Sequence, residues 1–178
     1  MKYKTAFKAL IFLSFMAITV NGRAATSYSI SEVRLLYGKG VEDAAAARKL
    51  FELVTAATPG DPLLMAYRGG AEALLAKHAL NPYTKLDYLA KSMTTLRLAI
   101  NADPSNAEIR FIRFSIQYYI PKFLGYSKNL QDDAHVIAVN FSTLKQVVDA
   151  NTVRSIGEFM INSGSCSNAD VAAILQQL

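Results

Sequence analysis

Slid against itself by 45 residues, the chain repeats: ARKLFELVTAATPGDPLLMAYRGGAE (47–72) falls on SMTTLRLAINADPSNAEIRFIRFSIQ (92–117). Phe51 meets Leu96, Leu53 meets Leu98, Val54 meets Ala99, Pro59 meets Pro104, Asp61 meets Asn106 and Arg68 meets Arg113. Each copy reads as helix, proline-marked turn, capped helix. A unit of two helices cannot bury its apolar face alone and must stack on the next, so this self-similarity constrains the fold more tightly than composition does.

The punctuation between the repeats is helical. Asp61-Pro62 is a capping carboxylate followed by proline at the first helical position, where its missing N–H is not needed. Asn81-Pro82 repeats the device, SNAE at Ser105–Glu108 has capping-box spacing, and SNAD at Ser167–Asp170 is a variant of it. No stretch alternates with period two, and Ala, Leu, Lys, Glu, Arg and Met dominate. These signals predict helices over 29–57 (broken at Gly38 to Gly40), 62–79, 83–102, 106–120, 130–149, 152–162 and 168–177. Short connections make neighbouring helices antiparallel, so the expected class is all-α.

Ala47, Phe51 and Pro59 are spaced as in the second half of a tetratricopeptide repeat, and Ser92, Leu96 and Pro104 keep that spacing. NADPSNAEIRF is similar to the turn between consecutive repeats of that family. The resemblance covers residues 30–120 and implies a right-handed α-solenoid of antiparallel helix hairpins (TPR-like), with those six residues packing the repeats. Two departures stand: the Trp, Leu-Gly and Tyr signature of the first helix is missing, and the 45-residue offset exceeds the family's usual period of about 34. The expected repeat core runs from about 30 to 150, followed by C-terminal helices over 151–178.

Within the aromatic segment EIRFIRFSIQYY, polar residues are not scattered. Asn106, Arg110, Arg113 and Gln117 fall at i, i+4, i+7 and i+11 and form one stripe on a helix otherwise fit for burial. The 45-residue offset maps Arg110 to Met65, Arg113 to Arg68 and Gln117 to Glu72, so two of the three positions stay polar. The stripe as a whole is read as the floor of a groove, which the family resemblance implies is concave and faces a partner. For any single arginine, an internal ion pair is the favoured reading, with Asp87, Asp103, Glu108, Asp132 and Asp133 as available carboxylates. Lys122, Phe123 and Tyr126 in YIPKFLGY follow at the groove's edge, where a core plug is favoured over an exposed anchor.

The first residues direct the chain outward. Lys2, Lys4 and Lys8 precede an uncharged run from Ala9 to Val20 and small residues at Gly22 and Ala24, the layout of a signal peptide spanning 1–24, with a single domain over 25–178. That run is too short to cross a bilayer as a helix, so no stable membrane anchor is expected. Losing the leader removes Lys2, Lys4, Lys8 and Arg23, leaving fifteen basic against fourteen acidic residues, a balance of +1 rather than +5. Nucleic acid is therefore not an expected partner.

Residues suited to catalysis are few. Cys166 is the single cysteine, so it has no intramolecular disulfide partner. Asp132 and His135 share a helix face without a third ligand, His78 sits where a helix end favours a cation, and no nucleophile motif or phosphate loop is present. The expectation is a non-enzymatic, exported (periplasmic or secreted) binding module without cofactor or metal, serving a protein or peptide partner as adaptor, assembly or chaperone-like factor. The alternative is a small envelope enzyme, or an apolar-ligand binder with a pocket between helices.

Overall fold

Capping side chains set the helices where the sequence placed most of them. The computed structural model describes residues 29–56 and 60–178; the leader and Pro59 lie outside the described residues. The described residues form α1 (Ile30–Gly40), α2 (Ala44–Ala56), α3 (Pro62–His78), α4 (Pro82–Ala102), α5 (Ala107–Tyr119), α6 (Leu130–Val139), α7 (Phe141–Val147), α8 (Ala150–Asn162) and α9 (Asn168–Leu175), with a 3₁₀ turn at Lys122–Leu124. There is no strand among them. Asp61 accepts from the Leu63 and Leu64 N–H groups, and Asn81 from those of Tyr83 and Thr84.

Three local expectations are corrected. α1 runs through Gly38 to Gly40, and the chain turns at residues 41–43, where the Asp43 carboxylate accepts from the Ala45 N–H. The capping box at Ser105 does not form. Asn106 caps α5 instead, accepting from the Glu108 and Ile109 N–H groups, because the Glu108 carboxylate is engaged elsewhere. The predicted helix over 130–149 is split at Asn140, whose side-chain amide donates to the Val136 carbonyl and so competes with the helical ladder. The bend points Phe141 and Leu144 into the interior. At Ser167 the capping box is complete, with both reciprocal bonds to Asp170.

Consecutive helices pack in pairs from α1 to α6, and α1 touches α3 while α3 touches α5. This row of odd-numbered helices, each backed by an even-numbered neighbour, is consistent with a helical repeat. α7, α8 and α9 close the far end, α9 lying against α6 and α8. Among the described residues no helix is long and apolar enough to cross a membrane.

Two hydrophobic cores result, and α5 serves both. Ile109 and Ile112 join the first core with Val33, Leu50, Tyr67 and Leu96; Ala107 and Phe114 join the second with Ile137, Phe141, Met160 and Ile174. A helix buried on two faces must be apolar around most of its surface, which accounts for its sequence. The repeat-packing positions divide. Ala47, Ser92 and Leu96 are wholly buried, but Phe51 is half-buried and Leu50 takes the interior position in α2. Phe51 covers the edge of the first core rather than filling it. Pro104 is exposed and contributes its carbonyl, which accepts from Arg110 Nε at 2.8 Å.

Candidate functional site

The polar stripe of α5 lies against α6. Arg113 donates Nε to Asp133 Oδ2 at 2.7 Å and Nη2 to Asp133 Oδ1 at 2.6 Å. Arg110 donates Nη1 to the same Oδ1 at 2.9 Å. Asp133 is wholly buried and Arg113 is 8% exposed. Of the five carboxylates the sequence offered, the structure selects Asp133, because the first turn of α6 crosses α5 at the stripe. Arg113, Gln117 and Glu72 of the stripe are all buried, and Arg113 takes the internal ion pair favoured for a single arginine.

Gln117 braces the chain that follows α5. Its Oε1 accepts from the Asn129 N–H at 3.2 Å, its Nε2 donates to Asn129 Oδ1 at 3.4 Å, and its carbonyl accepts from the Ser127 hydroxyl at 2.9 Å. Gly125, at φ +74°, supplies the left-handed residue that closes the 3₁₀ turn. These bonds fix a tight excursion that carries Lys122 and Phe123 outward. Phe123 is 86% exposed, so the core-plug reading is corrected. Aromatic packing between the helices is supplied instead by Phe159 of α8, which stands edge-on to Phe111, Phe114 and Tyr118 and stacks on Tyr119.

Between α4 and this excursion lies a half-open cleft of about 320 Å³. Met93 and Arg97 form one wall, Arg113 and Gln117 the floor, and Tyr126 and Lys128 the other wall. Arg97 and Lys128 are exposed. Neither drew notice in the sequence: Arg97 corresponds to Glu52 under the 45-residue offset, and Lys128 follows the matched segment. A second cleft of about 280 Å³ lies between α2 and α4, lined by Arg48, Phe51, Glu52, Leu75, His78 and Tyr88 among others. Arg48 and Glu52 are the 45-residue equivalents of Met93 and Arg97, so the two clefts share walls across the repeat.

The remaining stripe residues sit apart from the larger cleft. Arg68 is half-exposed on α3, its Nε 3.4 Å from Glu72 Oε1, while Glu72 accepts from the Thr95 hydroxyl at 2.7 Å. Another network, unforeseen from the sequence, ties α1, α3, α5 and α7. Arg34 grips both Glu108 oxygens at 2.7 Å, Tyr67 donates to Glu108 Oε1 at 2.6 Å, and Arg34 Nη1 donates to the Val147 carbonyl at 2.7 Å. Only a signal of long range could have found it: Arg34 and Glu108 stand 74 positions apart.

The titratable groups near Cys166 are engaged in structure. His135 Nδ1 lies 2.9 Å from Asp170 Oδ1, and the Ser167 hydroxyl donates to Asp170 Oδ2 at 2.7 Å. Burial pushes the Asp170 carboxyl up, but hydrogen bonds from Ser167 and His135 outweigh it and hold it below the usual carboxylate range. Burial first, and then the Asp170 charge, pushes the Cys166 thiol up. That thiol is 3.3 Å from the Met160 carbonyl, a contact that favours the protonated form rather than a nucleophilic thiolate. His78 Nε2 lies 2.8 Å from the Gly40 carbonyl. Among the described residues no three His, Cys, Asp or Glu side chains group closely enough to hold a metal ion. No known protein family, curated protein or solved structure matches the chain.

Proposed function

We propose that the chain is an exported, non-catalytic binding module, a right-handed α-solenoid of TPR-like hairpins that acts as an adaptor, assembly or chaperone-like factor for a protein or peptide partner. The observation that carries this reading is the braced excursion beside the larger cleft. A buried glutamine holds residues 127–129 in place, and the excursion displays Phe123 to solvent with Lys122 beside it. An exposed aromatic on a braced excursion whose following residues line a concave surface is what a partner-binding site offers, since the backbone there needs little further ordering on association. The protonated thiol of Cys166 and the structural use of His135 support a non-catalytic role.

The reading is tested by replacing Phe123 with the photocrosslinking analogue benzoylphenylalanine in the native host, with Leu175 on α9 as an exposed control position. A discrete adduct with another protein at Phe123 and none at Leu175 is expected. Equal labelling at both positions, or none at either, overturns the module. Export is tested by intact mass. The processed chain begins at Ala25, and an exported protein that retains Met1 overturns the assignment of the leader.

A further inference from the structure

The floor of the larger cleft carries an imbalance of charge. Arg110 and Arg113 share the one carboxylate of Asp133, so this cluster holds a positive charge in excess. Arg113 is more than nine-tenths buried. A guanidinium has five N–H donors, and Arg113 commits Nε and Nη2 to Asp133. Among the described residues no acceptor meets its Nη1, and Arg113 is itself part of the cleft floor. Asp133 neutralises one of the two guanidinium groups, and the Nη1 donors of Arg113 are left for whatever enters the cleft.

The walls repeat that sign. Arg97 on α4 and Lys128 in the excursion are exposed and form no ion pair among the described residues, and no aspartate or glutamate lines the cleft. Met93 and Tyr126 add apolar surface beside the cations. We infer that this cleft receives an acidic segment of a peptide, with a carboxylate seated over Arg113 between Arg97 and Lys128. The apolar wall suits a chain bearing side chains better than a bare anion, and the planar fork of Arg113 matches a carboxylate. The inference rests on the binding-module reading and gives that partner a chemistry.

The test is a positional-scanning octapeptide library, prepared with free and with amidated C-termini and probed with the purified protein. Pools with Asp or Glu fixed at one position are expected to be retained about tenfold more than the matching Asn or Gln pools, with retention falling as salt is raised. Because the C-terminal carboxylate is common to every free-acid pool, the Asp and Glu preference is expected in the free and the amidated library alike, which assigns the seated carboxylate to a side chain. Arg97→Gln with Lys128→Gln changes only exposed residues, so the melting temperature holds while the acidic preference drops by about tenfold. An absence of acidic preference overturns the inference, as does a preference that survives the double variant. Should Phe123 crosslink to a partner protein while the library shows no acidic preference, the charge reading falls and the module stands; failure of both experiments removes both.

Discussion

Arg113 and Asp133 are joined by two parallel N–H···O bonds of 2.7 and 2.6 Å, Nε to Oδ2 and Nη2 to Oδ1, between a helix shared by two cores and the first turn of its neighbour. Asp133 is wholly buried and also accepts from Arg110, so it is the hinge pin of the α5–α6 contact. Asp133→Ala leaves a buried guanidinium without a counter-charge and should cost about 3–5 kcal/mol. Arg110→Gln spares the bidentate pair and should cost no more than about 1–3 kcal/mol. Urea unfolding of the two variants decides the order. Equal losses would mean that Arg110 and Arg113 share Asp133 evenly, against the geometry.

Gly69 of α3 packs directly against Leu96 of α4. A Cβ added at Gly69 would lie 2.7 Å from Leu96 Cγ and 3.2 Å from the Leu96 backbone nitrogen. Gly69→Ala is therefore expected to destabilise by about 1–3 kcal/mol, despite alanine's better helix propensity. Leu96→Ala, which empties a wholly buried site, should cost about 2–5 kcal/mol. Combined, the two should cost less than their sum, since removing the leucine side chain relieves most of the clash. Strict additivity in denaturant unfolding would place the strain at the backbone nitrogen instead.

Ser92 occupies the small-residue position equivalent to Ala47, wholly buried, and its hydroxyl has no hydrogen-bond partner among the described residues. The packing needs a small side chain there and makes no use of the oxygen. Ser92→Ala should raise stability by about 1–3 kcal/mol, the desolvation penalty of an unsatisfied hydroxyl. A fall in the thermal midpoint would show that the hydroxyl is bonded after all.

What was legible in the sequence was local. Asp61-Pro62 and Asn81-Pro82 mark helix starts because the capping bonds span two or three residues and owe nothing to the rest of the fold. Ser105 and Glu108 have the same kind of signature, yet Glu108 is drawn to Arg34 and Tyr67, and Asn106 takes over the cap. The stripe on α5 was readable from its spacing, but its partner was not. Choosing Asp133 over four other carboxylates depends on how α6 crosses α5, which no periodicity encodes. Phe123 misled because hydrophobicity speaks for burial, whereas its exposure follows from the bonds that Gln117 and Ser127 make behind it.

Tyr67 gives the molecule a predictable response to alkali. Burial, and then the negative charge of Glu108 that it donates to, raises its phenol well above the usual tyrosine range. An unfolded tyrosine ionises near pH 10. Above that pH the unfolded chain releases the proton while the folded chain keeps it, so the unfolded state binds fewer protons and stability falls as pH rises. The contribution of the Tyr67 phenol is therefore complete below about pH 10 and erodes above it, by about 1.4 kcal/mol at one unit beyond. Tyr37, packed edge-on against Tyr67 at 5.6 Å, is also raised by burial and adds to the same loss. Tyr67→Phe removes one donor from the buried Glu108 carboxylate and should cost about 1–3 kcal/mol at neutral pH. Because the variant has no phenol to titrate at that position, the gap between it and the parent should narrow as pH climbs from 9 to 11, as followed by urea midpoints. A gap that stays constant over that interval would mean that Tyr67 ionises alike in the folded and unfolded chains, and that the Arg34–Glu108–Tyr67 network does not hold the phenol in its protonated form.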